Sequence, residues 1–127
     1  NWGIGNRSCG FRIPSNEEYS MRVENRISGS DTNPYLVIAA NLAAGYLGMK
    51  YKIKPSAETK KSVFGQKQSS LPKNMEEAIS LFEKDEEIND VFNQKFVRTI
   101  AAIRKVENQA YLKVISSWER EFLLLNV

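Results

Sequence analysis

The hydrophobic pattern changes period along the chain. Up to Ile27 apolar and polar positions alternate, as strands require; from residue 74 onward apolar positions return every three or four residues, as helices require. Between them lies one block that is apolar nearly all round. Asn1 to Gly5 is glycine-punctuated and reads as a loop. Asn6 to Ile13 reads as a short strand closed by Pro14, with Arg7, Cys9, Phe11 and Ile13 on one parity and Arg12 on the other. A bulge at Gly10 would bring both arginines to one side. Pro14 to Glu18 is a polar turn, and Tyr19 to Ile27 returns as a second strand, antiparallel to the first.

Ser28 to Asn33 is a loop of capping side chains, in which Asn33 suits the N-cap and Pro34 the first helical position. The helix from Tyr35 to Leu47, stopped by Gly48, lacks a polar stripe, so protein must cover it on most sides. Met49 to Lys73 reads as a long exposed loop. Asn74-Met-Glu-Glu77 opens a helix through Glu83 with Ala78, Ile79, Leu81 and Phe82 as its apolar face. Asp85 caps Glu86 to Phe92. Asn93 to Val114 carries Phe96, Val97, Ile100, Ile103, Val106 and Ala110 as core or docking surface. Ser116 to Glu119 caps a last helix, Trp118 to Leu125, with Trp118, Phe122 and Leu125 on one face. The fold class is α+β: a short antiparallel strand pair, then a mostly helical half.

Composition narrows the chemistry. The chain has 127 residues and a net charge of +3, enough for one domain with a core and too mild a charge to argue for nucleic acid. Seven lysines and one acid lie between Lys50 and Lys73, and seven acids and one lysine between Glu76 and Asp90. The lysine-rich stretch reads as a solvated linker or, failing that, as a contact for an acidic partner. Histidine is absent, which excludes serine–histidine and cysteine–histidine catalysis within these residues. The single cysteine, Cys9, permits no internal disulfide and fits a reducing, cytoplasmic location. No apolar run is long enough to span a bilayer.

The charged residues concentrate in Y-S-M-R-V-E-N-R, Tyr19 to Arg26. In a strand, Ser20, Arg22, Glu24 and Arg26 share one side, with neighbours about 6.5–7 Å apart. Two guanidinium groups flanking one carboxylate make either a salt-bridge ladder or a wall that holds an anionic ligand and a hard cation.

The surrounding motifs decide between these. W-G-x-x-N-R-S at Trp2 to Ser8, R-I-P at Arg12 to Pro14, R-V-E-N-R at Arg22 to Arg26 and D-T-N-P-Y-L-V-I-A-A-N-L-A-A-G at Asp31 to Gly45 follow in order. Together they resemble the C-terminal part of the catalytic domain of glutamine synthetase. The resemblance spans the chain, with its specific motifs in the first 48 residues. It divides the chain into active-site strands and a buried helix (1–48), a lysine-rich loop (49–73) and closing helices (74–127), and makes it part of a longer polypeptide.

That resemblance implies an ATP-dependent glutamate–ammonia ligase working through a γ-glutamyl phosphate. Glu24 would be a ligand of Mg2+ or Mn2+. Arg7 and Arg12 would be catalytic, stabilising the phosphoryl group of ATP in transfer. Arg22 would lie on the nucleotide side, and Arg26, with Arg7, would contact glutamate. The implied partners are small molecules (glutamate, ATP, and ammonia or an amine) and further copies of the chain in stacked rings, with no nucleic acid and no membrane. Some relatives carry a modifiable tyrosine in the loop matching Lys50 to Lys73; here the only aromatic beyond Tyr51 is Phe64, which has no hydroxyl and argues against adenylylation there. The C-terminal W-E-R-E-F-L-L-L looks closer to relatives that γ-glutamylate polyamines or other amines. A non-catalytic structural relative is the remaining alternative. The family's other metal ligands lie outside these residues, so the 127-residue chain alone is expected to be inactive.

Overall fold

The computed structural model describes residues 1–14, 17–65 and 71–124. Ser15 and Asn16 of the polar turn, residues 66–70 of the lysine-rich stretch, and Leu125 lie outside that range. The chain forms two compact units, Asn1–Gln68 and Ser69–Val127. No helix among the described residues is long and apolar enough to cross a membrane.

The first unit holds a three-stranded sheet in the order β1 (Trp2–Ile4), β2 (Phe11–Ile13), β3 (Glu24–Asn25). The expected antiparallel pair is present as β2 with β3, in register Phe11↔Asn25 and Arg12↔Glu24. Two expectations are corrected. Trp2–Ile4 is a strand rather than a loop and runs parallel to β2. Parallel neighbours usually need a dozen or more connecting residues. Here each strand is three residues, about 10 Å, so the chain can double back within residues 5–10, starting at Gly5 with φ of 64°. The second correction concerns Tyr19–Arg26, which is not one long strand: Glu18–Ser20 is a single 3₁₀ turn and only Glu24–Asn25 pairs. No bulge forms at Gly10 either, because residues 7 and 8 turn instead of extending.

Helix α1 (Pro34–Lys50) starts as its sequence requires, with Asn33 Oδ1 accepting from the Tyr35 and Leu36 amides. It runs past Gly48 and ends with Lys52 at φ 51°, where Ile53 N–H donates to Gly48 O and Lys52 N–H to Met49 O. That is a Schellman ending whose left-handed residue lies four residues beyond the expected stop at Gly48. Asn41 Oδ1 accepts from Asn25 Nδ2 at 3.1 Å, and Leu36, Val37, Ala40 and Ala44 border a cleft shared with Phe11. The helix therefore packs on the Phe11/Asn25 face of the sheet. Its other face stays bare: Tyr35, Ile38, Leu42, Tyr46 and Met49, spaced three and four apart, are all exposed, Leu42 at 70%. This is the helix whose all-apolar sequence asks for more cover than these residues supply.

The second unit contains α2 (Met75–Lys84), α3 (Glu86–Phe92), α4 (Gln94–Tyr111) and α5 (Ser117–Phe122). Asn74, Asp85, Asn93 and Ser116 cap them, each accepting a backbone N–H near its helix start. The α4 stripe divides. Val97 and Ala101 are buried, as is Ile79 of α2, and Phe96 stacks on Phe92. Ile103 and Val106 are exposed, because α2 and α3 pack on the other side of the helix. At α5, Ser116 N–H donates to Glu119 Oε2 at 2.7 Å, and Glu119 N–H donates to Ser116 Oγ.

The Ser116 backbone bond is the main reason that the Glu119 carboxyl titrates below its ordinary value of 4.5. A lowered carboxyl stabilises the fold above its unfolded value, and that contribution is lost as pH falls through the folded value. Acidification below about pH 4.5 is thus expected to fray α5, read as a loss of protection at the Ser116 amide, whose exchange rises toward its intrinsic rate. Glu119→Gln, whose amide oxygen accepts the same bond at every pH, removes that dependence. Equal pH profiles in the two proteins would count against the capping account.

Candidate active site

The charged side chains sit on the face of the sheet opposite α1. Register places Arg12 across from Glu24, and both have the parity opposite to Phe11 and Asn25. Arg12 Nη1 donates to Glu24 Oε2 at 2.8 Å, and Arg22 Nη2 to Glu24 Oε1 at 3.2 Å. The expectation that Arg22 and Glu24 share a side is met, although residue 22 lies outside the ladder. Glu24 titrates below its ordinary value, first because Arg12 hydrogen-bonds its charged form; desolvation opposes this, and the positive charges of Arg12 and then Arg22 reinforce it. Arg12 keeps only 17% of its side chain exposed, and its Nε is buried with no acceptor among the described residues. A buried guanidinium N–H without a partner is costly.

Arg26 and Arg7 form a second group. Arg26 Nε donates to the Arg7 carbonyl at 3.2 Å, and Arg26 N–H to Gly10 O at 2.8 Å. The Arg7 side chain is exposed and makes no hydrogen bond or ion pair among the described residues. The two groups are joined by no direct hydrogen bond between them, yet both stand at the β2–β3 end of the sheet. Two guanidinium groups share the one Glu24 carboxylate, and Arg7 adds an exposed one on the neighbouring turn, an excess of positive charge suited to a polyanion whose negative charge is spread over several oxygens.

The residues present do not by themselves hold a divalent cation. Both oxygens of Glu24 are engaged by guanidinium groups, and no group of three metal-ligating side chains occurs among the described residues. One carboxylate falls well short of the oxygen set that Mg2+ or Mn2+ requires.

The segment expected to be a solvated linker is instead tied to the first strand. Thr59 N–H donates to Trp2 O at 2.9 Å, Trp2 Nε1 to Ser56 O at 2.7 Å, and Val63 N–H to Ser8 Oγ at 3.1 Å. Asn6 Nδ2 donates to Thr59 O and Lys61 O, while its Oδ1 accepts from Ser8 N and Ser8 Oγ. Most of these bonds end on main-chain groups, which is why composition gave no sign of them. The W-G-x-x-N-R-S motif was the available signal, read for its arginine alone.

The family profile described as "Glutamine synthetase, catalytic domain" matches residues 1–123. The chain is 34% identical over 125 residues to a glutamate–isopropylamine ligase of Pseudomonas sp., covering 93% of this chain and 26% of that protein. It is 32% identical over 108 residues to lengsin of Rattus norvegicus, covering 84% and 19%. A solved structure titled "Apo GmaS without ligand" superposes with a TM-score of 0.77 at 27% identity, covering 96% of this chain and 29% of that one. The chain thus spans about a fifth to a quarter of the length of these curated relatives.

Proposed function

The chain belongs to the glutamine synthetase catalytic-domain family, and from that membership we propose that it forms part of an ATP-dependent ligase joining glutamate to an amine. The observation that carries the reading is the pairing of Arg12 and Arg22 with Glu24, the Arg12 Nε having no acceptor among the described residues, beside a second group in which Arg26 Nε holds the Arg7 carbonyl. In the first step a γ-carboxylate oxygen of glutamate attacks the γ-phosphorus of ATP, and ADP leaves. In the second, the amine nitrogen attacks the acyl carbon, phosphate leaves with the bonding pair, and the nitrogen loses a proton to give the amide. Arg7 and Arg12 neutralise charge on the equatorial oxygens during transfer. Arg22, 60% exposed, reaches toward the nucleotide, and Arg26, with Arg7, holds the substrate carboxylate. Glu24 would offer one oxygen to a divalent cation only together with ligands from outside the described residues, and that cation would supply further neutralisation of the phosphate charge.

Ammonia is the first reading for the amine, making the product glutamine. A larger amine is the second, favoured by the 34% identity to a ligase named for isopropylamine. A purely structural role is less well supported. Arg12 and Arg22 do have Glu24 as a counter-ion, but the buried Arg12 Nε, without an acceptor among the described residues, carries a cost that these contacts leave unmet. We place the protein in the cytoplasm, as a ring-forming homo-oligomer, with residues 1–48 bearing the site and 74–127 closing the domain. The intact protein, given ATP, Mg2+, glutamate and either ammonia or isopropylamine, is expected to release ADP and the matching γ-amide in equal amounts. ADP release that needs no glutamate, or none with either amine, would overturn the ligase reading.

A further inference from the structure

Four of the five specified residues in W-G-x-x-N-R-S address one neighbouring segment, residues 56–63. Trp2 meets it through its indole N–H and its carbonyl, at Ser56 O and Thr59 N. Gly3 lets it come close, since a Cβ there would sit 2.6 Å from Thr59 O and 2.9 Å from the Asn6 Cβ. Ser8 meets Val63 N–H through its hydroxyl. Asn6 uses both amide hydrogens on Thr59 O and Lys61 O, at 2.8 and 3.0 Å, and its oxygen accepts twice from Ser8, at 3.0 and 2.7 Å. Its amide has no remaining capacity. The fifth specified residue, Arg7, lies between Asn6 and Ser8, and its carbonyl is held from the other side by Arg26 Nε.

From this we infer that Asn6 is a positioning residue, and that residues 56–63 form a strap that fixes the Arg7 turn for phosphoryl transfer. The two halves of the amide divide the work. The oxygen draws Ser8 N–H into an Asx turn, bending the chain at residues 7 and 8. The nitrogen fastens that turn to the strap. An exposed arginine gains no orientation from its own side-chain contacts here, so the placement of its backbone sets where the guanidinium can reach. Displacing the strap would release Arg7 without touching Arg12, Arg22 or Glu24, whose ion pairs are made among themselves. The lysine-rich segment thereby acquires a role in the site rather than that of a spacer. The catalytic consequence rests on the ligase reading above; the mechanical link does not.

Asn6→Asp is the discriminating substitution, since a carboxylate keeps the two acceptor roles toward Ser8 and loses both donor roles toward the strap. Ser8→Ala is the second variant, removing only the hydroxyl that joins Asn6 to Val63. In the intact protein, both are expected to speed hydrogen exchange in peptides covering 56–63 and in the peptide covering 6–8. Asn6→Asp is also expected to lower kcat about a hundredfold, the scale of a misplacement of roughly 1 Å, with KM for glutamate changed less than threefold. Faster exchange in the strap alone, with residues 6–8 and kcat unchanged, overturns the positioning role. No change in exchange for either folded variant overturns the link itself. If the unsubstituted protein has no ligase turnover, the ligase reading fails while the exchange pattern still decides whether the strap holds the turn.

Discussion

Replacing Arg7 with alanine in the intact protein is expected, on the ligase reading, to lower kcat roughly a thousandfold and to leave the melting temperature unchanged. The two halves of that expectation come from different observations. Stability is spared because the guanidinium is exposed and without a partner among the described residues, while the turn that carries it is held by Asn6, Ser8 and Arg26. Activity suffers because charge on a transferring phosphoryl group is met almost wholly by cationic donors and metal, so one missing donor raises the barrier directly. Arg12 offers no such clean test, since removing it also strips Glu24 of its 2.8 Å partner. Lysine at position 7 keeps the charge and loses the planar fork, so it is expected to recover only part of the rate. Single-turnover ADP formation measures the step itself. A loss below about tenfold, roughly 1.4 kcal/mol of barrier, would place Arg7 away from the transferred group.

What the sequence disclosed follows the range of the interactions involved. Helix starts were legible because each is decided within four residues: Asn33, Asn74, Asp85 and Ser116 all cap as their side chains suggest. Helix ends were harder. Gly48 looks like a stop, but the left-handed position falls on Lys52 instead. Strands were hardest, since a strand exists only where a partner lies beside it. Trp2–Ile4 has no alternation to read and is made a strand by Phe11–Ile13, nine residues away. Tyr19 to Val23 alternates convincingly and has no ladder.

The charged cluster survived that error for a physical reason. Arg22 and Glu24 are two residues apart in extended backbone, so they face one side with or without a neighbouring strand. The Arg12–Glu24 bridge, in contrast, depends on a register that no local pattern encodes. Asn6 escaped notice because its four bonds are with two main-chain carbonyls and one serine, and main-chain groups leave no mark in composition.

The 127-residue chain by itself, supplied with ATP, Mg2+, glutamate and ammonia or isopropylamine, is expected to give no amide above background. On the proposed reading it would carry the cationic half of the chemistry and little of the anionic half. Glu24 offers a single carboxylate already shared by two arginines, and no other metal-ligating group gathers around it among the described residues. Without the cation, the triphosphate would lie against guanidinium groups alone, which can bind it yet leave its γ-phosphorus poorly positioned for attack. The bare apolar stripe of α1 points the same way, because a face of that size is left open where further protein normally packs. Nucleotide binding without turnover is therefore the expected behaviour, seen as weak, salt-sensitive ATP binding in calorimetry. A trace of product is sorted from contamination by the Arg7→Ala chain. Turnover that disappears with that substitution would belong to these residues, and would show that the site needs less than a full set of metal ligands.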